Sequence, residues 1–227
     1  AADHLRSSNI VAFPTETVYG LGGMAYSDDA VAKIFEAKSR PNFNPLIIHV
    51  ADFQTANHLV DFCPRSLKLA KTFWPGPLTI VLNRANNSEV SLLAGAGLKT
   101  TAIRMPDNNI ALDLIYEAGG PIAAPSANKS GRVSPTRADH VSEEFGNTIS
   151  CILDGGPCSL GLESTVIDFS GTIPTILRPG SITKQDIEEV LGKIALDTGK
   201  RPLVAPGMMA RHYAPSAKLR LNAKKKK

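Results

Sequence analysis

With 227 residues, 43% of them hydrophobic and 20% charged, the chain can bury a core of one large domain or two small ones and is no disordered polyelectrolyte. The formal charge of +4 comes entirely from Lys224, Lys225, Lys226 and Lys227, so the body is neutral and poorly suited to general nucleic-acid binding. Cys63, Cys151 and Cys158 form no CxxC and point to free thiols in a reducing compartment, and no apolar run approaches the ~18 residues of a membrane span. No signal peptide is visible, and a cytoplasmic location is expected, or an organellar one if a presequence was removed.

Short β-rich runs alternate with helical ones. NIVAFPT (9–15) reads as a strand, and GLGGMA (20–25) as a loop after it. SDDAVAKIFEAK (27–38) reads as a helix, with Ser27 as N-cap and two aspartates in its first turn. PLIIHV (45–50) is a strand, and helices are expected near 52–62 and 64–74. LTIVLN (78–83) and TTAIRM (100–105) are strands, 109–119 a helix, 121–126 a strand and 136–146 a helix. ISCILDGG, STVIDFS and TIPTILRPG are three late β segments, with Gly171 turning the last pair into a hairpin. A late β run of this kind suits a mixed α/β layer structure and not a strict βαβ repeat. From about 198 to 215 the chain becomes linker-like, rich in proline and glycine among scattered apolar residues.

Several stretches carry candidate chemistry. In FPTETVYGLGG (13–23), Thr15 and Thr17 stand at a strand end and form hydrogen bonds without charge, which suits a zwitterionic small molecule; Glu16 in ordinary capping is the plainer alternative. In AKSRPNFNPL (37–46), Lys38 and Arg40 either complement the negative end of a helix or aim at an anion, while Pro41 and Pro45 stiffen the loop that carries Asn44. Ser126 and Asn128 alternate after a buried-looking strand and could face phosphates or ribose. SANK matches the SxxK pattern of penicillin-recognising enzymes, but SDN and KTG companions are missing; LAGAGLKTT lacks the spacing of a Walker A loop. His49 ends an apolar strand and by default is a core histidine. Arg104 and Arg178 also follow apolar strands and are costly to bury unpaired. Together with Lys38 and Arg40 they make a set of four possible anion contacts, favouring a nucleotide or polyanion ligand.

PTETVYGLGG, AKSRPNFNPLIIHV, WPGPLTIVL, IRMP, PIAAPSAN, SPT, ILDGG, ESTVID and ILRPG occur in this order over residues 9–190. The series closely resembles the YrdC-like family, the L-threonylcarbamoyladenylate synthases. The resemblance implies a single-domain α/β fold, an open twisted mixed sheet with flanking helices and a concave face. It implies a catalytic domain over 1–196, a linker or flap over 197–217 and a basic tail over 218–227. APGMMARHYAPS (205–216) resembles the linker of the family's longer branch, where a further C-terminal domain follows; that domain is expected to be absent here.

The family condenses L-threonine, bicarbonate (or CO2) and ATP to threonylcarbamoyl-AMP, releasing pyrophosphate, with Mg2+ accompanying the ATP. A separate tRNA threonylcarbamoyl transferase complex then uses the product. By resemblance, Thr17, His49, Arg104, Ser164 and the backbone at Ala124 bind threonine. Lys38, Arg40, Asn44, Thr100, Ser126, Asn128, Ser134 and Arg178 contact ATP, and Lys38 and Arg40 also serve the chemistry. Tyr213 folds back over the site, and no side chain is assigned to a metal. Removing Lys38 or Arg40 should then lower turnover and leave the fold intact. The rival reading is a non-catalytic module for double-stranded RNA or tRNA, which the lysine tail would help and the neutral body opposes; weak tRNA binding is compatible with either.

Overall fold

Local signals place the helices. In a computed structural model describing residues 1–41 and 43–199, α1 spans Ala2–Arg6, and α2 spans Asp28–Lys38, capped by Ser27, whose side chain accepts from the Ala30 amide. Ser39 ends α2 in the left-handed region at φ 49°. α3 (Phe53–Leu59) is capped by Asp52, and α4 (Pro64–Phe73) by Cys63, with Pro64 at its first position, where no amide is needed. α5 (Asn109–Ala118) starts at Asn108, α6 is Ala138–Phe145, and α7 (Lys184–Leu191) has a reciprocal cap between Thr183 and Asp186.

The strands are β1 (Val11–Phe13), β2 (Gly20–Met24), β3 (Ile47–His49), β4 (Leu78–Asn83), β5 (Thr100–Arg104), β6 (Ile122–Ala123), β7 (Cys151–Ile152), β8 (Thr165–Asp168), β9 (Thr175–Arg178) and β10 (Ala195–Leu196). They form one mixed sheet in the order β10-β9-β8-β4-β5-β3-β6-β2-β1-β7. β3 and β5 are parallel, as are β4 and β8, while β4 and β5 are antiparallel. β8 and β9 form the expected antiparallel pair. The sheet with flanking helices is the architecture anticipated, although α1, α7 and β10 were not.

One expectation is corrected. Residues 20–25 were read as a loop, yet Gly20–Met24 is a strand between β1 and β6. Glycine is required there by crowding and not by a turn: a Cβ on Gly22 would lie 2.6 Å from Ile122 and 2.7 Å from Phe13.

Strand alternation divides the sheet into two faces. Ile48, Ile80, Leu82, Ile103, Ile167 and Ile176 belong to the main core, with Leu69 and Ala70 of α4 and Ile187 of α7. The intervening residues, Ile47, Val81, Ala102, Val166 and Leu177, form a separate, smaller cluster. By the same period, His49, Arg104 and Ser164 stand on the side of this smaller cluster. The ends of β3 and β5 therefore carry His49 and Arg104 onto the face of the smaller cluster, whereas Thr101 and Thr165 alternate onto the other.

Gly180 lies where a Cβ would be 2.5 Å from the Thr165 nitrogen and 2.6 Å from the Glu163 oxygen, both backbone atoms that cannot swing aside. Gly180→Ala should lower unfolding stability by about 1–3 kcal/mol in a denaturant titration. Gly171→Ala, with no atom within 4 Å of the added carbon, should change it little.

Candidate active site

A cleft opens on the face that carries the small cluster. Thr15, Thr17, Val18, Gly20, Arg40, Ile47, His49, Arg104, Ala124, Pro125, Ser126, Glu163, Ser164 and Arg178 line it. A cavity of ≈ 530 Å³ adjoins it, shares Val18, Glu163 and Arg178, and is also walled by Val133, Ser134, Leu162, Leu177 and Pro179. Polar and cationic groups dominate the first; apolar side chains surround much of the second.

Register brings His49 and Arg104 together, since they are paired residues at the ends of parallel β3 and β5. The Arg104 guanidinium is held on three sides: Nε donates to the Gly76 carbonyl at 3.2 Å, one terminal nitrogen to Thr17 Oγ1 at 3.0 Å, and the other to Glu16 Oε1 at 2.5 Å. The Arg104 and Glu16 side chains are only 4% and 7% exposed. Guanidinium has five N–H groups, so this grip leaves donors over for a ligand. Burial lowers the Arg104 pKa, and Glu16 is the chief influence opposing it. Thr15 donates its hydroxyl proton to the Val18 carbonyl at 2.7 Å, so in the 2.8 Å contact between the two hydroxyls Thr17 is the donor. Thr17 is thus oriented by its neighbour while accepting from Arg104.

The second arginine is set the same way. Arg178 Nε donates to the Ser164 carbonyl and a terminal nitrogen to Ser164 Oγ, both at 3.0 Å, and its remaining nitrogen pairs with Glu163. Ser164 Oγ also meets Thr79 Oγ1 at 2.7 Å. Arg40 donates to the carbonyls of Asn44 and Pro45 at 3.0 and 2.9 Å, fixing the loop that the prolines stiffen. Burial lowers its pKa to about 10, with Glu163 sustaining the charge against Arg178, so it remains cationic at neutral pH.

His49 is buried, with its ring edge-on to Phe13 at 6.1 Å, and its Nδ1 has no hydrogen-bond partner among the described residues. Burial first, and Arg104 second, push its pKa down to about 3, so the ring is neutral and can offer or accept one bond to a ligand. The backbone at Ile47 and Ile122 acts on the ring in the opposite sense, so the histidine is partly held within the core while Nδ1 is left over among the described residues.

Of the residues expected at the site, Thr17, Arg40, His49, Arg104, Ala124, Ser126, Ser164 and Arg178 line the cleft, and Ser134 lines the adjoining cavity. Lys38 stands elsewhere. The residue is 1% exposed, and its ammonium donates to the backbone carbonyls of Ser126 and Asn128, tying the end of α2 to the 126–128 loop. Burial, and then Arg40, lower its pKa to about 7. Asn128 is likewise inward, its amide donating to the carbonyls of Lys129 and Arg132. Asn44 is buried behind Arg40, and Thr100 pairs with Asn83 at the far end of β5; neither lines the two cavities. Tyr213 and most of the expected 197–217 flap lie outside the described residues. Glu16 and Glu163, the partners of the buried arginines, were not anticipated as site residues. The signal was available: a buried arginine needs a carboxylate, and both glutamates stand within the quoted motifs PTETVYGLGG and ESTVID.

Comparison with known proteins bears on this arrangement. The Sua5/YciO/YrdC family model, described as telomere recombination, matches residues 3–180, which span β1 to β9 and every lining residue. The chain belongs to the Sua5/YciO/YrdC family. It is 52% identical to the threonylcarbamoyl-AMP synthase of Bacillus subtilis over 96% of this chain and 64% of that protein. A crystal structure of Pyrococcus abyssi Sua5 complexed with L-threonine superposes with a TM-score of 0.91 at 50% identity, covering 96% of this chain and 65% of that one. Escherichia coli YciO, at 22% identity and TM-score 0.71 over 79% of this chain and 87% of that one, shares the fold. The chain thus spans about two thirds of the length of the first two relatives. A second model, the C-terminal domain of threonylcarbamoyl-AMP synthase, matches residues 182–227, so the expectation that nothing of that domain is present is corrected for this segment.

Three experiments follow from the geometry. Lys38→Met strands two buried carbonyls and should lower stability by about 2 kcal/mol, read by denaturant unfolding, in contrast to the expectation that its removal spares the fold. Arg40→Ala should keep the global fold and lower turnover roughly a hundredfold. For His49, the unfolded state binds the extra proton between pH 6.5 and about 3, so the stability from the neutral ring is complete above pH 6.5 and is lost as pH falls through that window. Unfolding at pH 7 and pH 4.5 should show a smaller acid loss for His49→Gln than for the wild type.

Proposed function

We propose that this chain makes L-threonylcarbamoyl-AMP from L-threonine, bicarbonate or CO2 and ATP, releasing pyrophosphate. The observation carrying the reading is the pairing of His49 with Arg104 beside Thr17 and Ser164: a neutral ring nitrogen, a prepared cation and two hydroxyls in one buried place. A zwitterionic hydroxy-amino acid calls for such a set, its carboxylate on the arginine and its hydroxyl and amine on neutral partners.

Arg40 and Ser126 in the cleft, with Arg178 and Ser134 in the wall of the larger cavity, suit a triphosphate, while Val133, Leu162, Leu177 and Pro179 suit an apolar base face. Mg2+ enters with ATP as part of the substrate. Magnesium commonly keeps several waters and is held largely by the substrate's own phosphate oxygens. Among the described residues no group of three His, Cys, Asp or Glu side chains is placed to hold a metal ion.

In the reaction, the threonine amine adds to CO2 and loses a proton, giving a carbamate. A carbamate oxygen attacks the α-phosphorus, and the bond to the bridging oxygen breaks to release pyrophosphate. No side-chain nucleophile is required. The chain's own residues position the two substrates and stabilise charge on the phosphoryl oxygens. Burial of the arginines also favours this reading over an RNA module, because Arg104 at 3% and Arg178 at 7% exposure are out of reach of a nucleic-acid backbone. The product would supply a transferase that acts on tRNA. No helix among the described residues is long and apolar enough to cross a membrane.

The chain incubated with Mg2+·ATP, bicarbonate and labelled threonine should release pyrophosphate only when threonine and bicarbonate are both present. Release indifferent to threonine would overturn the reading.

A further inference from the structure

Glu163 stands where an anionic ligand would be expected. It belongs to the wall of both cavities. Its Oε1 accepts from Ser134 Oγ at 2.6 Å, its Oε2 pairs with Arg178, and its side chain is 11% exposed. Its charge also acts on Lys38, Arg40 and Arg104. Two groups assigned above to the triphosphate, Ser134 and Arg178, are therefore bonded to a protein carboxylate in this structure.

We propose that Glu163 is an internal counter-anion, holding the polyphosphate-binding groups of the cleft and yielding them only to a ligand of higher negative charge. The proposal rests on the nucleotide reading above and deepens it. The geometry makes the exchange simple. Arg178 keeps two bonds to Ser164 whichever anion it meets, so only one terminal nitrogen is handed over and the guanidinium stays in place. Ser134 need only rotate its hydroxyl. A small monoanion such as acetate would replace one negative charge by another and gain little, whereas a polyphosphate brings several charges to the same cations. The carboxylate thus selects for ligand charge, and its return would help pyrophosphate leave. Glu16 contrasts with it: it pairs with Arg104 from behind and does not line the cleft, as suits a permanent partner.

Calorimetric titration of the chain with inorganic tripolyphosphate, with and without Mg2+, tests this. Glu163→Gln keeps the shape of the side chain and removes its charge, and should bind tripolyphosphate about tenfold tighter than wild type, with the gain shrinking as salt is added. Glu163→Asp is one methylene too short to span Ser134 and Arg178 together and should bind roughly threefold tighter; it serves as the test if the glutamine variant does not fold. Unchanged or weaker binding in the folded variants, or no binding by any of the proteins, would overturn the proposal. A loss confined to Mg2+-containing buffer would make Glu163 a metal ligand and overturn it equally. Tripolyphosphate has no nucleoside, so the two readings fail separately. Tighter tripolyphosphate binding without any ATP binding would retain the counter-anion and remove the nucleotide. Threonine-dependent pyrophosphate release with unchanged tripolyphosphate affinity would do the reverse.

Discussion

Everything in the cleft depends on how buried cations are held. A guanidinium or ammonium removed from water is tolerated only when it is paired or fully hydrogen-bonded. Each cation here is first oriented by backbone carbonyls: Arg104 by Gly76, Arg178 by Ser164, Arg40 by Asn44 and Pro45, and Lys38 by Ser126 and Asn128. Among the described residues, carboxylates pair with two of them, Glu16 with Arg104 and Glu163 with Arg178. Carbonyls orient without cancelling the charge, so the cleft keeps an excess of positive potential in a fixed geometry. Donors whose positions are set in advance need little reorganisation to meet an anion.

The sheet converts this requirement into a location. Residues two apart on a strand share a face, so the isoleucines and leucine of β3, β4, β5, β8 and β9 can fill the main core while Ile47, Val81, Ala102, Val166 and Leu177 form a small apolar floor on the other side. His49 and Arg104 end their strands as register partners, and Arg178 ends β9 next to the segment that brings Ser164. A slip of one residue in β3 would turn His49 into the core and leave its place beside Arg104 to an apolar neighbour. The glycines of β2 let a strand pass between β1 and β6, which supports Gly20 and Ser126 as a bridged pair at the cleft edge.

Much of this was legible in the chain. Ser27, Asp28 and Asp29 mark the start of α2, and LTIVLN and TTAIR mark β4 and β5, because capping bonds and side-chain alternation act over a few residues. Arg104 and Arg178 were suspect from the cost of burying them. What misled was context. GLGG reads as a turn by composition, and only Phe13 and Ile122 reveal why a strand there must lack side chains. Lys38 and Arg40, two residues apart at a helix end, look like a matched pair aimed at one anion. The fold separates them, putting one on the cleft wall and the other beneath it.

By itself the sequence determined most of the helices and strands, though not α1, β2, α7 or β10, which residue types cluster by motif, and that several cations needed buried partners. Tertiary structure alone decided which cation lines the cleft and which closes the fold. The reason is distance along the chain. The cap of α2 links residues 3 apart, whereas Arg104 reaches Glu16 across 88 positions and Lys38 reaches Asn128 across 90. Bonds of the first kind are dictated by neighbouring letters; those of the second exist only once the sheet has set its strand order and register.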